Sequence, residues 1–114
     1  MNKKVGAAAE TLAAAFLQKQ GLQVLERNWH CRFGELDLVC RDADSIVIVE
    51  VRLRTHTRFG GAAASIDRRK QAKLIAAASL YLARKPPAPC RFDVVLMGDD
   101  QGQDIEWIRN AFGT

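Results

Sequence analysis

The sequence predicts a mixed-sheet α/β domain, and three observations lead there. Its periodic segments run helix, strand, hairpin, helix, strand, strand within 114 residues. The stretch 33–54, FGELDLVCRDADSIVIVEVRLR, has the β-branched density of a buried hairpin. At 114 residues with 48% hydrophobic and 26% charged side chains, the chain is one domain, 1–114, of ordinary globular composition.

The first element is a helix over residues 5–20. Val5, Ala9, Leu12, Ala13, Phe16 and Leu17 form its apolar stripe, and Gly21 stops it. Glu10 lies beside that stripe, which reads as a solvated helix residue. A short strand follows over 22–27, and residues 28–32 lead into the hairpin with Trp29 as a packing residue.

In the hairpin, residues 36–40 and 46–52 are the strands and 41–45 the polar turn. Centring the turn on Ala43 and Asp44 puts Val39 opposite Ile48, Asp37 opposite Glu50, and Glu35 opposite Arg52. Strand alternation then places Leu36, Leu38, Val47, Val49 and Val51 on a core face. Asp37, Glu50, Glu35 and Arg52 share the other face with Val39 and Ile48. Two directly opposed carboxylates lie roughly 4.5–5.5 Å apart at Cβ and repel unless a proton or cation sits between them.

After Arg54 comes the loop THTRFGGAAAS, with Gly60 and Gly61 giving backbone freedom. His56 has the chemistry of a general base but reads as an exposed loop histidine. Ser65 is the expected N-cap of a helix to about residue 84, with Leu74, Ile75, Ala78, Tyr81 and Leu82 inward. Pro86 and Pro87 close it. Residues 91–97 and 105–109 are the last strands, and Asn110, Ala111 and Phe112 dock back on the core. Asp93 is open to two readings, a further metal ligand or an ion-pair partner for Arg91.

No apolar run approaches the roughly 20 residues of a membrane span, and the N-terminus lacks a signal-peptide core. A cytoplasmic protein with no membrane partner is expected. Three cysteines, Cys31, Cys40 and Cys90, without CxxC spacing fit a reducing compartment. His30, Cys31, His56 and Cys90 match no zinc spacing. Net charge is +4 with a pI near 9.3, a mild bias toward an acidic partner. The distribution is more pointed. Arg52, Arg54, Arg58, Arg68, Arg69, Lys70 and Lys73 follow directly on the carboxylate pair, where they can contact the phosphates of a nucleic acid.

A divalent ion is the simplest reason to place two acids in such a hairpin. Mg²⁺ takes oxygen ligands, often one or two carboxylates with water and substrate phosphate. Asp37 and Glu50 supply two and the Val51 carbonyl a third. Arg52, two residues beyond Glu50 on the same face, can hold the scissile phosphate or attacking water.

Gly34-Glu35-x-Asp37 followed by Glu50-Val51-Arg52 resembles the PD-(D/E)xK nuclease motif. The whole chain resembles the YraN-like family of small bacterial proteins, itself similar to archaeal Holliday-junction resolvases. The likeness runs through Glu10 and its helix, Arg27-Asn28, GELDLV, VIVEVRLR, Phe59-Gly60, Lys70, RFDVV and Asn110-Ala111-Phe112. It implies a restriction-endonuclease-like (resolvase-like) mixed central sheet flanked by helices. It further implies Mg²⁺ or Mn²⁺ at Asp37 and Glu50, with Glu10 nearby. The activity implied is endonucleolytic hydrolysis of DNA phosphodiesters in branched DNA, and a homodimer would suit two-strand cutting. Arg52 departs from the motif's lysine and, staying charged, is no general base; Lys70 is the candidate to supply a lysine from elsewhere in the chain. Two other readings stand beside this one: an inactive nucleic-acid-binding module on the same fold, and a scaffold whose carboxylates pair with Arg52 and Arg54.

Overall fold

Among the described residues, two helices and five strands follow one another in the order the periodicity predicts. The computed structural model describes residues 6–53, 66–98 and 104–113. Helix α1 is Ala7–Lys19, followed by strands β1 (Gln23–Cys31), β2 (Gly34–Asp42) and β3 (Ser45–Leu53). Helix α2 (Arg68–Leu82) leads to β4 (Cys90–Met97) and β5 (Glu106–Phe112). The sheet is a single one, ordered β1-β2-β3-β4-β5. Its β3–β4 pair is parallel and its other pairs antiparallel. This is the mixed central sheet flanked by helices that the sequence predicts, and it is compatible with a resolvase-like fold.

The two sheet faces carry two cores. On one, Ala9, Ala13, Ala14 and Leu17 of α1 pack on Leu38, Cys40, Val47, Val49, Val51, Val95 and Met97. Three of those four helix residues are alanines, so the helix axis can come close to the strands. On the other, Leu74, Ala77, Ala78 and Tyr81 of α2 pack on Leu36, Val39, Ile46, Ile48, Phe92, Val94 and Leu96. Both faces of β3 and β4 are therefore covered, which is why those strands read as almost unbroken Val, Ile and Leu.

Several boundaries move. The β2–β3 turn is where expected, with Asp42 paired to Ser45 and Val39 to Ile48. Ala43 carries a left-handed φ of 55° there, in a position where tight hairpin turns ordinarily use glycine, asparagine or aspartate. Strand β1 runs on to Cys31, since pairing with β2 continues to Cys31–Gly34. Helix α2 is capped by Asp67, whose Oδ1 accepts the Lys70 N–H at 2.8 Å. The expected cap Ser65 lies outside the described residues. Ile66, 1% exposed, anchors the helix entrance in the core, which favours the cap just after it. Residues 110–112 belong to β5 itself, with Phe112 stacked on Phe92 at 5.0 Å between ring centroids.

One departure matters for function. Leu36 and Leu38, two residues apart, pack on opposite sides of the sheet, against the expected shared face. The alternation breaks at Asp37, the residue between them. Asn28, which lies between the paired positions Arg27–Leu38 and Trp29–Leu36, has a left-handed φ of 53°. Asparagine tolerates that conformation better than most residues, and a left-handed residue inside a strand breaks the pleat. At the same level the β2–β3 pairing reaches its last pair, Leu38–Val49. A fork opens there.

Candidate metal centre

Four charged side chains are buried among the described residues, and all are acids: Glu10, Asp37, Glu50 and Asp93. A buried charge is costly unless it is paired and hydrogen-bonded, so each requires a reason. Three belong to the fork and one does not.

Asp37 sits where β2 leaves β3. Its Oδ2 accepts the Val51 N–H at 2.9 Å, so a side chain takes over from the backbone ladder at this point. The expected cross-strand pairing of Asp37 with Glu50 is corrected accordingly, because the paired register stops one step short of them. Instead, Asp37 meets carboxylates from two other positions. One oxygen each of Glu10, Glu35 and Asp37 lie within 4.8 Å of one another.

Glu10 is thus no solvated residue. At 3% exposure it belongs to the buried face of α1 with Ala9, Ala13, Ala14 and Leu17. The helix is apolar almost all round, AAAETLAAAFL, so periodicity left its inward face undetermined by about one residue. Glu35 was not among the sequence-derived ligand candidates. Its signal was present in the spacing, since residues 35 and 37 alternate onto one side of a strand.

Glu50 faces the other way along the fork, toward α2. Its Oε2 lies 3.5 Å from Lys70 Nζ and 3.6 Å from an Arg52 guanidinium nitrogen. Its Oε1 is buried without a hydrogen-bond partner among the described residues. An ionised carboxylate oxygen left that way is expensive, and one more cation would satisfy it. Sequence alternation placed Arg52 beside Glu50, and the structure agrees. Lys70, eighteen residues further on, arrives through the first turn of α2. Arg68, Arg69 and Lys73 are exposed on the same part of α2. Arg54, Arg58 and His56 fall outside the described residues, as does the glycine loop.

Asp93 is the exception. Arg91 Nε donates to both its oxygens at 3.1 and 3.2 Å, Trp107 Nε1 donates to Oδ2 at 2.9 Å, and the Asn110 N–H donates to Oδ1 at 2.8 Å. Arg91 also reaches Asp42 at 3.0 Å. Of the two sequence readings of Asp93, the ion pair with Arg91 is the one realised. Nearby, burial pushes the Cys40 thiol up to about 12, helped by the Asp93 charge. The three cysteines are free thiols.

Chemically, the fork presents hard oxygen donors, the set that suits Mg²⁺ or Mn²⁺. The donors come from α1, β2 and β3, with the Val51 carbonyl next to Glu50 in the chain. Their fit to a divalent ion rests on two observations, the close approach of Glu10, Glu35 and Asp37 and the unsatisfied Glu50 Oε1. Among the described residues no helix is long and apolar enough to cross a membrane.

Comparison with known proteins shows the family. A family profile described as Uncharacterised protein family UPF0102 matches residues 9–97, from Ala9 in α1 to the end of β4. A UPF0102 protein of Nitrosomonas europaea is 56% identical over 108 residues, spanning 94% of this chain and 92% of its own length. One from Pseudomonas putida strain GB-1 is 56% identical over 114 residues, spanning 96% and 93%. A third, from Methylobacillus flagellatus, is 53% identical over 110 residues, spanning 96% and 97%.

Proposed function

The chain belongs to the UPF0102 family, and we propose that it is a divalent-metal-dependent endonuclease-like protein that hydrolyses DNA phosphodiesters, with branched DNA as its substrate. The observation that carries this is the fork itself. Acids from α1 and β2 converge where β2 leaves β3, and Glu50 of β3, next in the chain to the Val51 that Asp37 bonds, carries two cations.

Glu10, Glu35 and Asp37 would hold Mg²⁺ or Mn²⁺, with Glu50 and the Val51 carbonyl as further donors. Such an ion supplies a bound water of lowered pKa and neutralises charge developing on phosphate. The protein's own part is positional. Asp37 is pinned by the Val51 N–H, so the carboxylate is aimed before any substrate arrives. Arg52 and Lys70 hold nonbridging phosphate oxygens and stabilise the negative charge of the transition state. Arg68, Arg69 and Lys73, with Arg54 and Arg58, contact flanking phosphates, a sequence-independent and salt-sensitive attraction. Arg52 cannot take a proton at ordinary pH. The amine of Lys70, 3.5 Å from Glu50, stands where the motif's lysine would be useful.

The test is cleavage of labelled duplex, single-stranded, flap and four-way-junction DNA with Mg²⁺ or Mn²⁺, beside Asp37→Asn. We expect metal-dependent cutting of a branched substrate, reduced about a thousandfold in the variant, with DNA affinity kept. Cutting by Asp37→Asn at the wild-type rate would remove the site. A second reading, a nucleic-acid-binding module without chemistry, is favoured by one feature, arginine where the motif has lysine. Salt-sensitive binding with no cutting in either metal would establish it.

A further inference from the structure

Two residues before Glu35, the β1–β2 hairpin presents an aromatic ring to solvent. Phe33 is 36% exposed, one of two large hydrophobic side chains so placed among the described residues. The other, Leu80, lies in the second half of α2, away from the fork. Phe33 belongs to neither core cluster. Its ring partner is Arg32, whose guanidinium carbon sits 4.8 Å from the ring centroid. Arg32 is exposed as well.

A single exposed hydrophobic residue needs no explanation by itself. The position of this one is what matters. Cys31 pairs with Gly34 across the turn, so Arg32 and Phe33 are the hairpin tip. Gly34, at a φ of 137° that side-chain-bearing residues rarely adopt, sets the tip directly against the strand carrying Glu35 and Asp37. Two strand residues span about 7 Å, and stacked bases rise about 3.4 Å along one strand. A phosphate held at the carboxylates through a divalent ion would therefore put a base within about two nucleotides of the Phe33 ring.

From this juxtaposition we propose that the Arg32–Phe33 tip is a stacking wedge for an unpaired nucleobase, which makes single-stranded and branched DNA, rather than continuous duplex, the substrate class. The proposal rests on the nuclease-like reading of the neighbouring fork and deepens it. An aromatic face accepts any base, but only a base that has left its own stack. A continuous duplex keeps its bases covered and offers the ring nothing. A flap, a single strand or a junction crossover exposes one. Arg32 serves both partners, holding the ring in place by its cation–π contact and reaching the adjacent phosphate. A protein partner would use the same exposed ring but would not need it within two nucleotides of a phosphate-binding site.

The test measures binding without cleavage, with Ca²⁺ in place of Mg²⁺ or Mn²⁺, of a single strand, a four-way junction and a blunt duplex of matched length. Each carries one 2-aminopurine, and the proteins are wild type, Phe33→Ala, Phe33→Tyr and Arg32→Ala. Stacking contributes roughly 1–3 kcal/mol per base, so Phe33→Ala should lose about tenfold in affinity for the single strand and junction and nothing for the duplex. Phe33→Tyr should retain both the affinity and the 2-aminopurine quenching that Phe33→Ala loses. Equal losses on all three DNAs, or no loss on any, would overturn the wedge while leaving the fork's chemistry standing. Absence of DNA binding by the wild type would overturn both.

Discussion

Asp37 and Asp93 are both buried aspartates inside largely apolar strands, yet their surroundings differ. Asp93 is saturated by Arg91, Trp107 and the Asn110 N–H. Every one of those donors comes from the protein, and the charge is neutralised by an arginine two residues away. Asp37 accepts the Val51 N–H and lies close to the carboxylates of Glu10 and Glu35. One acid closes a structural network and the other sits among carboxylates. The difference teaches that burial of a charge is not in itself a functional signal; a cluster of acids from separate elements is a more pointed one.

That contrast can be broken most forcefully at Asp93. Removing one member of a buried ion pair costs roughly 3–5 kcal/mol, so Asp93→Ala should lower the urea midpoint severely or abolish folding. Asp37→Asn should cost little stability, because an amide oxygen still accepts the Val51 N–H and like-charge repulsion is relieved. Equal destabilisation by the two changes would mean that Asp37 too is a structural residue.

Adding the ion sharpens the same comparison at a smaller scale. A ligand at a hundred times its Kd stabilises the native state by about 2.7 kcal/mol. Melting of the wild type should therefore rise with Mg²⁺ or Mn²⁺ and return to baseline with EDTA. Asp37→Asn should show no rise, whereas Lys70→Met, which removes a cation but no ligand, should still show one. A rise of equal size in Asp37→Asn would place the ion elsewhere.

The smallest effect tests the Asp93 side through its neighbour Cys40. Burial, aided by the Asp93 charge, pushes that thiol from an ordinary 9.0 to about 12. An unfolded chain therefore gives up the thiol proton above about pH 9, while the folded one holds it until about 12. Stability is fully present below pH 9 and is lost as the pH rises toward 12, by about 1 kcal/mol at pH 10. Burial raises Cys90 and Tyr81 in the same direction. Urea midpoints at pH 8 and 10 should thus diverge in the wild type, and the gap should shrink in Cys40→Ala.

Local pattern carried much of the molecule. Element order, the hairpin turn at Ala43 and Asp44, the Val39–Ile48 register and the placement of Arg52 beside Glu50 all follow from alternation and turn chemistry, which act over a few residues. The same short-range logic singled out Asp37 and Glu50, although the direct opposition it predicted for them is not realised. What it could not reach lies in the path of the chain through space. Glu10 and Lys70 come to the fork from helices whose inward faces are chosen by packing, since α1 offers apolar residues on nearly every side. Asp37 could not be told from Asp93, because the arginine, indole and amide that claim Asp93 are assembled across β4 and β5. Nor could alternation foresee its own failure at Asp37, where Asn28 turns left-handed in the neighbouring strand and the pairing with β3 ends. The sequence by itself determined which strands and charges exist; only tertiary packing decided which charges meet, because that depends on distances between segments that no local periodicity encodes.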